Sequence, residues 1–384
     1  MTSLPAPDAT QLAASEDLQA LIRAEIERVG GWLPFADYMR LALYAPGLGY
    51  YSGGSRKFGA AGDFVTAPEL SPLFASSLAQ PVAKVLAQTG GDVLEIGAGS
   101  GRLAADLLRA LQRLERLPRR YLILELSGEL AERQRETLAR LVPELLPRVA
   151  WLSALPQDFV GCMVGNEVLD AMPCMLLHRH DGAWLERGVV LEEARFAWRD
   201  RPIKDPGRIG VLAGRDLPEG YLTEIQWEAQ GFVASLAAAT RQGALILPDY
   251  GFAGDEYYHP QRHQGTLMCH YRHHSHDDPF HLPGLEDITT HVDFSAIYQA
   301  ATEAGWQLEG YTSQASFLID AGLLDELALL DPTASDYFQA AAAVQKLLGP
   351  AEMGELFKVI GFSKGLELPA LLPGFRRDDR SGAL

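Results

Sequence analysis

Cysteine is scarce in this sequence, and its scarcity excludes two classes of protein. The chain of 384 residues contains three cysteines, Cys162, Cys174 and Cys269. Three cysteines cannot build a disulfide scaffold, and no two of them form the Cys-x-x-Cys pair that is typical of structural zinc sites. Unpaired cysteines fit a reducing compartment.

Long apolar runs are also missing. No run approaches the roughly 18 residues that are needed to span a bilayer. Residues 1–10 contain two prolines and no basic cluster, and no apolar stretch of the secretory type follows them. We therefore expect a cytoplasmic protein without a membrane span.

Positive charge is in deficit. Lysine and arginine total 33 and aspartate and glutamate total 50, which gives a formal net charge of −17. Such a surface repels phosphate backbones, so we expect no nucleic-acid partner. A partner with a basic side chain fits this charge better.

What the sequence does contain is an alternation of short apolar runs and helical periodicity. Such alternation predicts an α/β fold with a doubly wound parallel sheet. Two helices, over residues 15–30 and 34–46, precede it as an N-terminal helical cap. The core segments are strands at 93–96, 121–126, 148–152 and 162–165, with helices at 103–114 and 129–141 between them.

The rhythm changes after residue 173. Residues 175–179 and 184–191 flank Asp181-Gly182, which predicts a β-hairpin with a type I′ turn inserted in the core. Downstream we expect a helix over 222–239, a long loop over 251–287, a helical stretch over 320–348 and a frayed charged tail. The predicted division is 1–70 (N-terminal helices and glycine-rich loop), 71–173 (first part of the core), 174–221 (β insertion), 222–365 (rest of the core) and 366–384 (tail).

A glycine loop follows the first core strand. Gly97, Gly99 and Gly101 stand between that strand and a helix, where glycines allow a ligand to approach the backbone closely. The spacing is G-x-G-x-G rather than the dinucleotide pattern G-x-G-x-x-G, and Arg102 occupies the last position. Glu95 could face a cationic amino group, and Glu125 at the end of the second strand could accept hydrogen bonds from both ribose hydroxyls. This favours S-adenosylmethionine (SAM) over NAD, and the alternative is a tight turn that packs on the sheet.

The glycine loop resembles motif I of class I SAM-dependent methyltransferases, and further motifs resemble the MidA family. These are Gly49-Tyr50-Tyr51, the run from Gly62 to Glu69, Gly165-Asn166-Glu167 with Asp170 to Pro173, Asp249-Tyr250-Gly251, Gly265-Thr266-Leu267, and Asp287 to Phe294. The resemblance spans about residues 17–365. It implies a class I methyltransferase (Rossmann-like) fold, SAM as cofactor and a protein substrate. The family includes a mitochondrial enzyme that dimethylates an arginine of a respiratory complex subunit, so such a subunit is one candidate substrate.

The resemblance also implies roles for single residues. Gly97, Gly99 and Gly101 would line the methionine part of SAM, with Glu95 near its amino group and Glu125 at the ribose. Leu152 and Ser153 would contact the adenine. Asp63 and Phe64 would close over the cofactor.

Asn166, Glu167 and Asp170 follow a predicted strand directly, at the sheet edge where ligands bind in parallel α/β folds. Carboxylates can grip a guanidinium with two parallel hydrogen bonds and can accept the proton that it loses. We expect Glu167 and Asp170 to be the substrate-facing acids, on one face if the segment is helical, and Asn166 to orient them. The alternative is a solvated, capped helix start.

Asp249 and Tyr250 form a second candidate pair at the substrate, with a turn-forming aspartate before Gly251 as the alternative. Eight of the ten histidines lie between His259 and His291. We expect this polar loop, including His270, to meet the substrate, although it could equally be solvated without a role. Its spacing fits no common metal motif, so no metal is expected.

Arginine methylation of a protein is the leading hypothesis. The alternatives are a methyltransferase for another side chain or a small molecule, a SAM-binding assembly factor without catalysis, and an NAD-linked oxidoreductase, which Arg102 disfavours. Tyr50, Tyr51 and Phe64 could belong to the core or to the pocket. The apolar run over 323–330 could belong to the core or to the interface of a homodimer.

Overall fold

The computed structural model describes residues 4–53 and 66–384. Helices and strands alternate along most of this length. The helices are α1 (Ala9–Arg28), α2 (Phe35–Tyr44), α3 (Ala67–Leu70), α4 (Pro72–Thr89), α5 (Arg102–Arg113), α6 (Gly128–Leu141), α7 (Trp227–Ala239), α8 (Gly254–Tyr257), α9 (Phe294–Glu303), α10 (Gln314–Asp320), α11 (Leu323–Ala328), α12 (Ser335–Leu348) and α13 (Met353–Leu356). The strands are β1 (Leu33–Pro34), β2 (Asp92–Ile96), β3 (Tyr121–Leu124), β4 (Val149–Leu152), β5 (Phe159–Val164), β6 (Met175–His180), β7 (Ala183–Glu192), β8 (Arg195–Pro202), β9 (Leu222–Ile225), β10 (Thr240–Phe252), β11 (Met268–Tyr271), β12 (His274–His276), β13 (Asp287–Thr289), β14 (Val292–Asp293), β15 (Gln307–Ser313) and β16 (Phe357–Lys364).

The central sheet has the strand order β4-β3-β2-β5-β10-β16-β15. The first five of these strands are parallel, and β16 runs antiparallel to both of its neighbours. From β2 the chain moves outward to β3 and β4 and then returns to β5 on the other side. The reversal leaves a crevice at the carboxyl ends of β2 and β5, which is where ligands bind in open α/β sheets.

Both faces of this sheet are covered by helices, as the near-continuous apolar runs of the parallel strands require. One face packs against α4, α5, α10 and α12 through a cluster that includes Leu78, Leu107 and Phe317. The other packs against α7 and α9 through a cluster that includes Val233 and Ile297. This architecture confirms the predicted doubly wound, Rossmann-like fold.

A second, antiparallel sheet of order β1-β7-β6-β9, with β8 beside β7, forms the insertion. The predicted hairpin β6–β7 is confirmed, and both turn residues, Asp181 and Gly182, have positive φ, as a type I′ turn requires. The strand β8 was not predicted, because its turn is built from Glu193 and Ala194, which adopt positive φ without the usual glycine or asparagine. Strand β1 comes from the N-terminal cap, so the cap and the insertion share one sheet and one core.

Three predicted segments differ from the structure. Residues 222–225 form β9, which pairs with β6, so the helix begins only at Trp227. The predicted loop 251–287 contains α8 and, with β13, a small antiparallel sheet of order β12-β11-β13, whose three- to four-residue strands are too short to show a period. The predicted helical stretch over 320–348 contains the last residue of α10 and then two separate helices, α11 and α12. Gly322, at φ 93°, separates α11 from α10.

The C-terminal tail is packed rather than frayed. Phe375 is buried against Gly310 and Gly361, where a Cβ would lie 2.7 and 2.5 Å from its ring atoms. Arg376 donates to Asp320, and Arg380 donates to Glu355. The charges that suggested fraying are therefore used in ion pairs.

Within the residues that the structure describes, no helix has both the length and the apolar composition needed to cross a membrane.

Candidate active site

The glycine loop lies at the carboxyl end of β2 and leads directly into α5. Gly97, Gly99 and Gly101 have φ values of 66°, 53° and 81°, in the left-handed region that favours glycine. A Cβ on Gly97 would stand 3.3 Å from Val168 Cγ2, and one on Gly101 would stand 3.1 Å from Gln134 Cα. The glycines therefore allow both the turn and the close approach of the neighbouring segments.

A cavity of about 830 Å³ opens over this loop. Its walls are the glycine loop, the carboxyl ends of β2, β3 and β5, part of α2 and the start of α7. The volume lies in the range of pockets for small-molecule ligands. The crevice predicted by the strand order is thus a real pocket.

Glu125 stands at one end of the cavity, just beyond β3, and is held by a hydrogen-bond network. Its Oε1 accepts from the backbone N–H of Ser127 at 2.8 Å, and its Oε2 accepts from Gln134 Nε2 at 2.9 Å. Gln134 also donates to Gly99 O and accepts from Trp151 Nε1. Gln134 therefore fixes the carboxylate of Glu125 relative to the glycine loop, and each oxygen keeps a lone pair for a ligand hydroxyl.

Glu95, near the carboxyl end of β2, also lines the cavity. Its Oε2 accepts from the hydroxyl of Tyr121 at 2.6 Å. Burial raises the pKa of Glu95 to about 7, against the opposing effect of the Tyr121 hydrogen bond. A cationic ligand group nearby would favour the ionised form.

The segment from Asn166 to Asp170 follows β5 as a turn, not as the helix that we considered. Asn166 Nδ2 donates to Glu167 Oε1 at 2.8 Å, and the Glu167 amide donates to Pro248 O at 3.0 Å. Glu167 has φ 53°, an unusual backbone conformation for a residue with a side chain. Such strain concentrates at functional sites. The turn places Asn166, Glu167 and Asp170 together on the cavity wall.

Both carboxyl groups of this turn hold their protons more tightly than usual. Desolvation and the nearby Asp170 raise the pKa of Glu167 to about 8. Desolvation also raises the pKa of Asp170, while hydrogen bonds from Tyr250 and from backbone N–H groups oppose the rise. Asn166 Oδ1 and Asp170 Oδ1 are buried and accept no hydrogen bond within the described residues.

Asp249 lies behind this turn and does not line the cavity. Its Oδ2 accepts from the backbone N–H groups of Val168, Leu169 and Asp170 at 3.1, 2.9 and 3.4 Å, and its Oδ1 accepts from that of Tyr250 at 2.9 Å. The geometry corrects the predicted contact between Asp249 and the substrate. Asp249 instead holds the backbone that carries the two acids.

Four further predicted residues also lie away from the cavity wall. Tyr250 hydrogen-bonds Asp170 and packs against Phe357, so it supports the acid rather than facing a substrate. His270 lies in β11, opposite Asp287. Leu152 accepts the Glu125 amide through its carbonyl, and Ser153 is exposed, because β4 is one strand further from the crevice. The cavity lining there is formed by Leu126, Ser127 and Leu130 instead. Asp63 and Phe64 lie outside the described residues.

The sequence does not single out Asp287 as a site residue, although Asp287 begins the motif that runs to Phe294. Both of its carboxylate oxygens accept from the Tyr51 hydroxyl at 2.9 Å, and both residues line the cavity. Tyr44 stacks on Tyr51 with ring centroids 5.4 Å apart. Tyr50, by contrast, is fully buried core. The cavity wall opposite the glycine loop thus combines acids with tyrosine rings.

Acidic side chains outnumber basic ones in the cavity. Its carboxylates are Glu69, Glu95, Glu125, Glu167, Asp170, Glu228 and Asp287. Its basic side chains within the described residues are Arg40, paired with Asp37 and Glu228, and Arg102, paired with Asp106. Such a cavity suits cationic ligands.

Comparison with known proteins agrees with this chemistry. Residues 74–312 match the sequence profile of a family described as putative S-adenosyl-L-methionine-dependent methyltransferase. A crystal structure from Burkholderia thailandensis, bound to S-adenosyl-homocysteine, shares 54% sequence identity and a TM-score of 0.97 over 100% of both chains. A native structure from the same organism shares 54% identity and a TM-score of 0.94, again over 100% of both chains.

Two more distant relatives carry a more specific name. The mitochondrial protein arginine methyltransferase NDUFAF7 homolog of Caenorhabditis elegans is 27% identical over 88% of this chain and 85% of its own length. The mitochondrial protein arginine methyltransferase NDUFAF7 of Danio rerio is 28% identical over 85% of this chain and 82% of its own.

Proposed function

The chain belongs to the family of S-adenosyl-L-methionine-dependent methyltransferases, and from that premise we propose that it methylates an arginine side chain of a partner protein. The predicted enzyme class and cofactor are confirmed by this membership. The choice of arginine is the proposal. It is supported by the names of the relatives and, above all, by Glu167, Asp170 and Asp287 lining one cavity with the glycine loop.

The residues of the cavity fit SAM. The positive φ values of Gly97, Gly99 and Gly101 form the tight turn that places the loop backbone at the cavity wall. Glu125 can hold the two ribose hydroxyls, with Gln134 fixing its orientation. The excess of carboxylates offsets the positive sulfonium. Bound SAM would supply an electrophilic methyl group on that sulfonium.

The chain's own residues have two tasks in such a transfer. The guanidinium of arginine has a pKa above about 12, so it enters as a cation and is a poor nucleophile. Glu167 and Asp170 can grip it with parallel hydrogen bonds and aim one nitrogen at the methyl position. As the N–C bond forms and the S–C bond breaks, the nitrogen loses a proton, and a carboxylate can accept it.

The raised pKa of Glu167 is consistent with this role. Near neutral pH, burial keeps much of Glu167 protonated in the unliganded chain, because its pKa is about 8. Arrival of a cationic guanidinium favours the carboxylate and lowers that pKa. Binding of the guanidinium and ionisation of Glu167 are therefore coupled, so Glu167 is charged when a cation lies against it.

Labelling with radioactive SAM tests the proposal. Host lysate is incubated with the full chain, with Glu167→Gln and with Glu144→Gln, a control change at an exposed position outside the cavity. Mass spectrometry then locates the methyl group. We expect methylarginine with wild type and Glu144→Gln and a loss of at least about tenfold with Glu167→Gln. No labelled protein with wild type, or methyl on another residue type, would overturn the arginine assignment.

Calorimetry distinguishes the alternative cofactor. SAM should bind to the chain and NAD should not. Binding of SAM with no transfer to any protein or small molecule in the lysate would instead support an assembly factor without catalysis.

We also infer the nature of the partner. The net charge of −17 and the acidic cavity favour a protein with a basic side chain, of which a respiratory complex subunit is one candidate, and disfavour nucleic acid. The cytoplasmic location stays a prediction, and the named relatives are mitochondrial.

A homodimer stays a proposal. Leu323 belongs to the core, whereas Leu329 and Phe338 are 80% and 68% exposed. These two apolar side chains could meet a second copy. Sedimentation of wild type and Phe338→Ser tests it, and a monomeric wild type would refute it.

A further inference from the structure

The histidine-rich segment contains a compact group of ligand atoms away from the cavity. His276 ends β12, and His281 and Glu286 lie in the loop that leads to β13. His276 Nε2 is 2.9 Å from Glu286 Oε2, and His281 Nδ1 is 3.5 Å from the same oxygen. The three ligand atoms all lie within 4.8 Å of one another. We call His276, His281 and Glu286 the His–Glu cluster.

Glu286 is fully buried, and its second oxygen is poorly satisfied. Oε1 accepts from the Leu282 amide at 3.3 Å. Oε2 and His276 Nε2, although 2.9 Å apart, make no hydrogen bond of acceptable angle with each other or with another described residue. A buried carboxylate oxygen without a well-aligned donor is costly. The His276 ring therefore lies beside the carboxylate as an ion-pair partner at 2.9 Å rather than as a well-aligned donor, and the two atoms are close enough to share one cation.

We infer that the His–Glu cluster binds a divalent transition metal ion, with Zn²⁺ as the best match. Two imidazole nitrogens and one carboxylate oxygen form a ligand set that zinc accepts, with a fourth position left for water. Ligand atoms about 2.0–2.2 Å from zinc in tetrahedral geometry lie about 3.4 Å apart. The separation between His281 and Glu286 already matches, and that between His276 and Glu286 has to widen by about half an ångström.

Binding requires one local change. A metal on His276 Nε2 leaves the ring proton on Nδ1, which now lies 3.3 Å from the Asp278 amide nitrogen. That amide must therefore turn away, and the exposed position of Asp278 allows this. The ring proton of His276 thus moves from Nε2, which binds the metal, to Nδ1.

Neighbouring Cys269 does not complete the ligand set. It pairs with His276 across β11 and β12, so both side chains lie on one face of that small sheet. Its sulfur is nevertheless outside the group of mutually close ligand atoms. Cys269 packs in the core with Tyr38 instead. The site therefore keeps an open coordination position rather than a thiolate.

The spacing explains why the sequence predicts no metal here. The ligands are five and ten residues apart and come from a strand and a loop, so they match no helical or zinc-finger spacing. The position suggests a structural effect. Glu286 is followed directly by Asp287, so a metal that ties His276 and His281 to Glu286 would also fix the start of β13 at the cavity wall.

Equilibrium dialysis of the full chain against Zn²⁺, after treatment with a chelator, tests the inference. We expect about one equivalent per chain in wild type. His281→Ala and Glu286→Gln should bind at least about tenfold more weakly, and His263→Ala, an exposed histidine of the same segment, should bind as wild type does. Glutamine at position 286 can still accept from the Leu282 amide.

A thermal scan with and without Zn²⁺ provides the second measurement. Zinc should raise the melting temperature of wild type and of His263→Ala but not of His281→Ala. His281 is 35% exposed, so His281→Ala decides the matter even if Glu286→Gln fails to fold. Absence of stoichiometric binding in wild type, or equal binding in all variants, would overturn the metal site.

Discussion

Replacing Asp249 by asparagine separates the positioning of the acids from the binding of the cofactor. Asp249 is fully buried, and its two oxygens accept four backbone N–H groups. Asparagine keeps one acceptor oxygen. In its better orientation this oxygen retains the three N–H groups of residues 168–170, and its NH₂ then faces the Tyr250 amide, which loses its partner.

The cost follows from that single lost bond. Leaving a buried N–H group unsatisfied costs about 1–3 kcal/mol. Burial and the neighbouring Asp170 raise the pKa of Asp249. A protonated carboxyl accepts weaker hydrogen bonds than a carboxylate, so we expect the lost stability to lie at the lower end of this range. We expect Asp249→Asn to lower the free energy of unfolding by about 1–2 kcal/mol.

The effect on catalysis should be larger than the effect on cofactor binding. The NH₂ group of asparagine and the Tyr250 amide are both donors and repel each other, which displaces the side chain and, with it, the turn that carries Glu167 and Asp170. Misplacement of a reacting group by about 1 Å costs about a hundredfold in rate. We expect kcat to fall about ten- to hundredfold while the Kd for SAM, measured by calorimetry, changes less than about threefold.

Asp293→Asn is the matched control. Asp293 is also a buried aspartate that accepts backbone N–H groups, those of Ser295 and Ala296 at the start of α9, but it does not line the cavity. Both groups donate to Oδ1, which asparagine keeps, so Asp293→Asn should lose less stability than Asp249→Asn and keep its kcat. If both variants lose kcat equally, or if Asp249→Asn keeps full activity, the positioning role is refuted.

Three other outcomes follow from the site. Because the pKa of Glu167 is raised from 4.5 to about 8, the folded chain should lose stability as pH rises between these values. Activity should instead rise over the same range, with an inflection below 8 at saturating SAM. Denaturation and rate profiles of wild type and Glu167→Gln check this, and identical profiles would contradict it. Gly101→Ala places an alanine in the left-handed region, at a cost of about 1–2 kcal/mol, and its Cβ would press against Gln134. Calorimetry should therefore show SAM binding at least about tenfold weaker. Gly231→Ala, with open space around the new Cβ, should bind SAM normally. Glu125→Gln turns an NH₂ group toward a donor and should weaken the binding of SAM about tenfold. The melting temperature of the unliganded chain should change by no more than a few degrees. Unchanged affinity for SAM would show that Glu125 does not belong to the site.

The parts of the fold that the sequence predicted are those in which local chemistry repeats. The parallel strands are short, buried and apolar, and the helices between them have clear periods, so the order of the core could be derived. The glycine loop could also be derived, because the ligand-binding turn depends on the backbone of Gly97, Gly99 and Gly101 themselves. The boundaries at residues 70, 173, 221 and 365 stay a prediction.

The parts that the sequence did not predict depend on distant partners. Asp287 meets Tyr51 across 236 positions of the chain, and no local pattern indicates that contact. Asp249 was expected at the substrate because it follows a strand, but the adjacent turn presents its N–H groups to that carboxylate first. Gln134 sits within a helix whose sequence gives no reason to single it out, yet it connects Glu125, Gly99 and Trp151.

The shared sheet of the cap and the insertion has a consequence for how the chain is made. Strand β1 pairs with β7 through Leu33 and Val189, so the N-terminal segment emerges from the ribosome about 150 residues before its partner strand. At about 5–20 residues per second, it waits about 8–30 s without that partner. Tyr51 waits longer still, until Asp287 has been synthesised. The cavity wall opposite the glycine loop is therefore completed late in synthesis, and a nascent chain that already holds its glycine loop still lacks the wall that would meet a substrate.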